Sequence, residues 1–116
     1  MKFQISTTKD EVKLSIEGAL DALTVPDLRT DLDKLVDNGP PKIEVDLTNL
    51  RLIDSSGVGA IVSLYKRIRA KGGKVEIRGL RDQPLAIFRL LRLDRVLLDA
   101  DGRASLKQQK QVKSGS

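Results

Sequence analysis

"LRLIDSSGVGAIVSLYKR", residues 50–67, decides how the chain folds. An apolar run gives way to an aspartate and two serines. Glycine follows, and Val58, Ile61, Val62, Tyr65 and Ile68 then recur at helical spacing, with Ser63, Lys66, Arg67 and Arg69 on the opposite side. This is a strand, a sharp junction and a helix that Gly72-Gly73 ends. At the junction the hydroxyl of Ser55 or Ser56 can accept from the otherwise unpaired amides of the first helical turn. The same helix end attracts anions through its free N–H groups and its dipole, so a serine here is both a cap and a place where a phosphate can be held. Gly57 and Gly59 carry two readings at this stage. They leave the helix end bare for a partner's backbone or a phosphate, or they allow tight packing of helix on sheet.

The elements on either side fit one architecture. "KFQIST" (2–7) and "EVKLSIEG" (11–18) alternate apolar with polar residues around "TKD" (8–10), which reads as an antiparallel hairpin with one wet face. "TVPDLRTDLDKLVDNGP" (24–40) predicts a helix from about Val25 to Asp37. Thr24 is its expected N-cap, Pro26 and Asp27 suit its first turn, Leu28, Leu32, Leu35 and Val36 form its buried stripe, and Asn38-Gly39-Pro40 stops it. "KIEVDL" (42–47) and "KVEIRG" (74–79) are strands. "QPLAIFRLLRL" (83–93) is a short helix with Pro84 in its first turn, "RVLL" (95–98) a last short strand, and "DGRASLKQQKQ" (101–111) a closing helix. Strands alternating with helices imply βαβ crossovers. The expected fold is therefore a single α/β domain over residues 1–101, a mixed sheet with an N-terminal antiparallel hairpin and parallel strands packed by helices, followed by a basic tail at 102–116. Sites in such sheets lie beyond the carboxyl ends of strands, where the Asp54-Ser55-Ser56-Gly57 junction and the "GALDALT" loop (18–24) both fall.

Composition removes several kinds of chemistry. At 116 residues without cysteine or histidine, the chain has no disulfide framework, no thiolate or imidazole metal site and no Ser-His catalysis. No lysine stands close in sequence to activate Ser55 as a nucleophile, which argues against an enzyme. The opening "MKFQISTTKDEVKL" lacks a signal-peptide core and no apolar run nears the length of a membrane span, so a cytoplasmic chain off the membrane is expected. The net charge of +5 suggests nucleic acid, but residues 102–116 supply much of it through Arg103, Lys107, Lys110 and Lys113 with no acid. Up to Asp54 there are 7 basic and 11 acidic residues, and from 55 to 101 there are 10 basic and 5 acidic. The aromatics are only Phe3, Tyr65 and Phe88, so basic and stacking residues do not interleave as in single-strand binders, and no direct nucleic-acid contact is expected.

"VDLTNLRLIDSSGVGAIVSLYKRIRAKGGKVEI" (45–77) resembles the central block of the STAS domain, and more closely that of the bacterial anti-sigma factor antagonists. "IEGALDALTVPDLRTDL" (16–32) is similar to that family's Gly-x-Leu-Asp loop and first helix, and "LAIFRLLRLDRVL" (85–97) resembles its third helix and last strand. Arg92 departs from the pattern, since family members often carry glycine there, a difference that bears on a helix cap. The resemblance implies a partner-switching regulator of transcription. Ser55 would be phosphorylated by a serine kinase that is also the anti-sigma factor, and a serine phosphatase would reset it. Asp21 and Asp54 match positions at the contact surface, and Ser56, Gly57 and Val58 complete the implied partner-binding set. ATP and magnesium would sit on the partner, because this chain has no nucleotide-binding loop; no cofactor is expected of it. The alternative within the same family is an accessory subunit of a bacterial ABC-type phospholipid transporter.

Overall fold

The computed structural model of the chain describes residues 1–97, with side chains to residue 95. β1 (Lys2–Thr7) and β2 (Val12–Leu20) make the expected hairpin, and its register sets Phe3 against Ile16 and Ile5 against Leu14, which gathers the apolar residues on one face. β3 (Lys42–Asp46) runs parallel to β2 along Val12–Ser15. β4 (Leu50–Ile53) also runs parallel to β2, further along at Gly18–Leu20, with a register shift between Gly18 and Ala19. β5 (Lys74–Arg78) pairs in parallel with β3, giving the order β1-β2-β3-β5 with β4 attached to β2.

Alternation along the strands makes the sheet two-sided. Leu14, Ile16, Ile43, Val45, Val75 and Ile77 are buried, and α1 (Val25–Asn38) and α2 (Ser55–Ala70) pack their apolar stripes against them. In α1 the expected stripe of Leu28, Leu32, Leu35 and Val36 is in the core, joined by Val25. In α2, Val58, Ile61 and Ile68 are buried as expected, but Ala60 and Leu64 are buried too, while Val62 and Tyr65 are only half-buried. The opposite face of the sheet is polar, with Lys13, Glu44, Arg78, Glu76 and Lys42 in ion pairs of 3.2 to 3.6 Å. The basic partners are 36 to 57% exposed, whereas Glu44 and Glu76 keep only 15% and 13%, so the carboxylates lie half-covered beneath the cations that pair with them.

α3 (Asp82–Leu90) closes one end of the core with Phe88 fully buried. Past Arg92 the chain forms α4 (Asp94–Leu97), a helical turn where a strand was expected over residues 95–98. The correction has a simple cause. A four-residue segment with three apolar residues in a row has too few positions to show a period of two, and Asp94 in the first turn favours a helix start. The closing helix at 101–111, the domain boundary at 101 and the tail fall outside the described residues. Among the described residues no helix is long and apolar enough to cross a membrane.

Candidate functional site

Two loops meet at the carboxyl ends of β2 and β4, and one carboxylate joins them. Asp54 leaves β4 in extended conformation, and its amide donates to Leu20 O at 3.3 Å. Its Oδ1 accepts from the Gly57 amide at 3.0 Å, and its Oδ2 accepts from the Ala22 amide at 3.1 Å, 32 residues away in sequence. One oxygen therefore caps α2 and the other fixes the loop between β2 and α1. The Gly57 amide is the main cause that holds the Asp54 carboxyl below the usual carboxylate range, with desolvation opposing it and the Ala22 amide adding to it.

This arrangement corrects the expected caps. The N-cap of α2 is Asp54, and Ser55 and Ser56 are its first two helical residues. Both serines are exposed, and among the described residues neither hydroxyl has a hydrogen-bond partner. Thr24 stands at the N-cap position of α1 but does not cap it through its side chain. Its hydroxyl instead turns backwards, accepting from the Asp21 amide at 2.9 Å and donating to Ala19 O at 3.0 Å. Asp21 completes that turn, with its Oδ1 accepting from the amides of Leu23 (3.0 Å) and Thr24 (3.1 Å). The tight turn leaves Leu23 87% exposed, one residue after Ala22, whose amide meets Asp54.

Of the residues expected at a partner surface, the structure brings Asp21, Asp54, Ser55 and Ser56 to one rim and puts Gly57 and Val58 inside. A Cβ on Gly57 would fall on Leu20 O and lie 2.7 Å from Ile53 Cγ1, so glycine is needed there for packing of the helix end on β2 and β4. Val58 is a core residue, 6 % exposed. The bare glycine is Gly59, whose Cβ would meet nothing within 4 Å. Sequence reasoning passed over Gln83 as well. Its Oε1 accepts from Ile53 N and its Nε2 donates to Ile53 O, both at 3.0 Å, so a side-chain amide from α3 stands in for a neighbouring strand just before Asp54. Its position before Pro84 was the one available signal, and it spoke only of a helix start. Among the described residues no group of three or more acidic side chains could hold a metal ion.

Comparison with known proteins agrees with this fold. Residues 3–109 match the family model described as "Mlab, STAS domain". An anti-sigma-B factor antagonist of Staphylococcus aureus is 30% identical over 86 residues, which cover 73% of this chain and 80% of that protein. Among solved structures, an anti-sigma factor antagonist from Mycobacterium paratuberculosis superposes with a TM-score of 0.72 at 21% identity, covering 83% of this chain and 81% of the other. The Bacillus cell fate determinant SpoIIAA in its phosphorylated form gives 0.67 at 23% identity, covering 79% and 85%. The two solved structures show the same fold, and the family model over residues 3–109 with the Staphylococcus aureus relative places the chain in the STAS-domain family of anti-sigma factor antagonists.

Proposed function

We propose that the chain binds an anti-sigma factor that is also a serine kinase, and that phosphorylation of Ser55 ends this binding until a phosphatase removes the phosphate. The observation that carries the reading is the setting of Ser55. It is the first residue of α2, exposed and without a hydroxyl partner among the described residues, on a rim whose two loops are locked together by Asp54. A kinase needs a reachable hydroxyl on a defined backbone, and a partner needs a preorganised surface; this rim offers both. The exposed Leu23 supplies an apolar contact beside the charged ones. SpoIIAA, whose fold this chain shares, has been solved in a phosphorylated form, which supports the kind of modification proposed.

The fold tolerates the phosphate while the interface does not. A phosphoserine carries about −1.5 to −2 charges at pH 7, and at a helix N-terminus the dipole favours that charge. Against a partner packed on the same rim, the added charge beside ionised Asp54 would have to lose its water. Regulation then acts on association and leaves the domain folded. The cognate kinase with ATP should add one phosphate to the wild type and to Ser56→Ala, and none to Ser55→Ala. Ser55→Asp should bind the kinase more weakly by about 1 to 3 kcal/mol, the usual cost of a like charge in a desolvated contact. Phosphate on Ser56, or full affinity in Ser55→Asp, would sink the reading. An accessory role on a transport ATPase gives the opposite pattern, stable association with no phosphate on Ser55.

A further inference from the structure

Gly59 is a glycine that the fold itself does not call for. It is exposed in the second turn of α2, its backbone is not left-handed, and no atom lies within 4 Å of where a Cβ would stand. Glycine is among the weakest helix formers, so alanine here would improve the helix at no cost in packing. What glycine does at this position is open a groove of about 180 Å³ between α1 and α2, with a narrow apolar floor of Val25, Leu32 and Ala60, each less than a tenth exposed, under walls that are mostly polar. An apolar cavity of about 150 Å³ accepts benzene, so this groove has room for one leucine or phenylalanine side chain.

The rim sets the charge of the occupant. Arg67 is committed to Asp33 at 2.9 Å. Arg29 is exposed, and among the described residues it has no ion pair or hydrogen bond, which leaves one uncompensated cation beside the apolar floor. Ser56 stands at the same groove, which makes it continuous with the Ser55 rim.

We propose that this groove is a docking slot for a segment of a partner protein that carries one large apolar side chain with a carboxylate next to it. The apolar group lies over Gly59 and the carboxylate meets Arg29. Assigning that segment to the anti-sigma factor rests on the function proposed above, whereas the slot rests on its own geometry.

The test uses two peptides as probes on the isotope-labelled full chain, acetyl-Glu-Leu-Glu-amide and acetyl-Lys-Leu-Lys-amide, at about 10 mM, where a millimolar ligand is mostly bound. The acidic peptide should shift the amide resonances of Ser56, Gly59 and Ser63. Gly59→Leu should abolish the shifts while melting at or above the wild-type temperature, Gly59→Ala should give an intermediate loss, and Arg29→Glu should weaken binding at least about fivefold. Shifts that are absent, that persist in Gly59→Leu or that the basic peptide matches would overturn the slot. Binding of the kinase separates the two ideas. If Ser55→Asp loses the kinase and Gly59→Leu loses the peptide but keeps the kinase, the assignment of the slot to the kinase is overturned and the regulatory reading stands; if Gly59→Leu loses both ligands and Ser55→Asp loses neither, the slot stands and that reading falls.

Discussion

The junction of β4 with α2 and the two ends of α3 all turn the chain sharply, and they do so in opposite ways. At the junction each demanding position carries the residue that its environment asks for, an aspartate whose carboxylate accepts two amides and a glycine where Leu20 O leaves no room for a Cβ. Around α3, two left-handed positions carry ordinary side chains, Asp82 at φ 53° and Arg92 at φ 61°, and the helix start has no side-chain cap. α3 is held instead from its middle, by buried Phe88 and by the Gln83 amide on Ile53. The difference teaches where local precision is needed. A rim that presents a fixed surface is built from locally satisfied residues, while an element that only covers the core can carry unfavourable ends as long as its burial exceeds their cost.

The strongest way to break this comparison is Gly57→Ala. The new methyl would meet Leu20 O and Ile53 Cγ1, one of them backbone, so the helix end must move away from β2. Overpacking of this kind should cost about 2 to 3 kcal/mol even after the better helix propensity of alanine is counted. Urea denaturation gives the value directly, and a neutral result would mean that the junction is as permissive as the ends of α3.

Asp54→Asn should have a smaller effect with a diagnostic pH dependence. The amide can still accept from Gly57 but cannot accept a second amide through its NH₂, so the Ala22 contact is lost and melting should fall by a few degrees at neutral pH. The carboxyl of Asp54 is shifted downward in the folded state, so its contribution is fully present above about pH 4, the range where an unfolded aspartate ionises, and fades as pH falls through the lower folded value. Asp46 is also shifted downward, chiefly by the Thr48 hydroxyl, but it is common to both proteins and cancels in their difference. Melting temperatures of wild type and variant should therefore converge below pH 4. A constant gap would show that charge at Asp54 plays no part.

How much of this was legible in the sequence follows the same division. The hairpin, the parallel strands and the first two helices could be read because their patterns run for several periods, and the junction could be read because an aspartate, serines and glycines together mark a strand feeding a helix. The distribution of roles inside the junction could not. Nothing in the sequence says that the carboxylate rather than a serine hydroxyl caps α2, or that Gly57 is the packed glycine and Gly59 the open one, because both depend on how close β2 passes. Asp21 and Thr24 were visible as loop residues, yet the hydrogen bonds that make them a closed turn depend on Ala19 O at the end of β2. The helix of α3 was legible as well, with Pro84 in its first turn, whereas the short run after Arg95 is too brief to tell the helical turn of Asp94–Leu97 from a strand.

The smallest effect sharpens the comparison from the other side. Arg92 follows the C-cap Leu91 of α3; its amide donates to Arg89 O at 3.0 Å and the Leu93 amide donates to Phe88 O at 2.8 Å, the paired bonds of a Schellman ending. That ending needs a left-handed residue, and α1 uses Gly39 for the same purpose at φ 57°. Arg92 meets the need with a Cβ that disfavours the conformation. Its side chain is exposed and among the described residues makes no hydrogen bond or ion pair, so little is lost with it. Arg92→Gly relieves the left-handed penalty but adds freedom to the unfolded chain, and the balance should be a gain of about 0.5 to 1 kcal/mol. Arg92→Ala serves as the control, because it removes the same side chain and keeps the Cβ, and it should leave stability nearly unchanged. If both variants stabilise equally, the strain lies in the arginine side chain and not in the backbone, and the ends of α3 are no less well fitted than the β4–α2 junction.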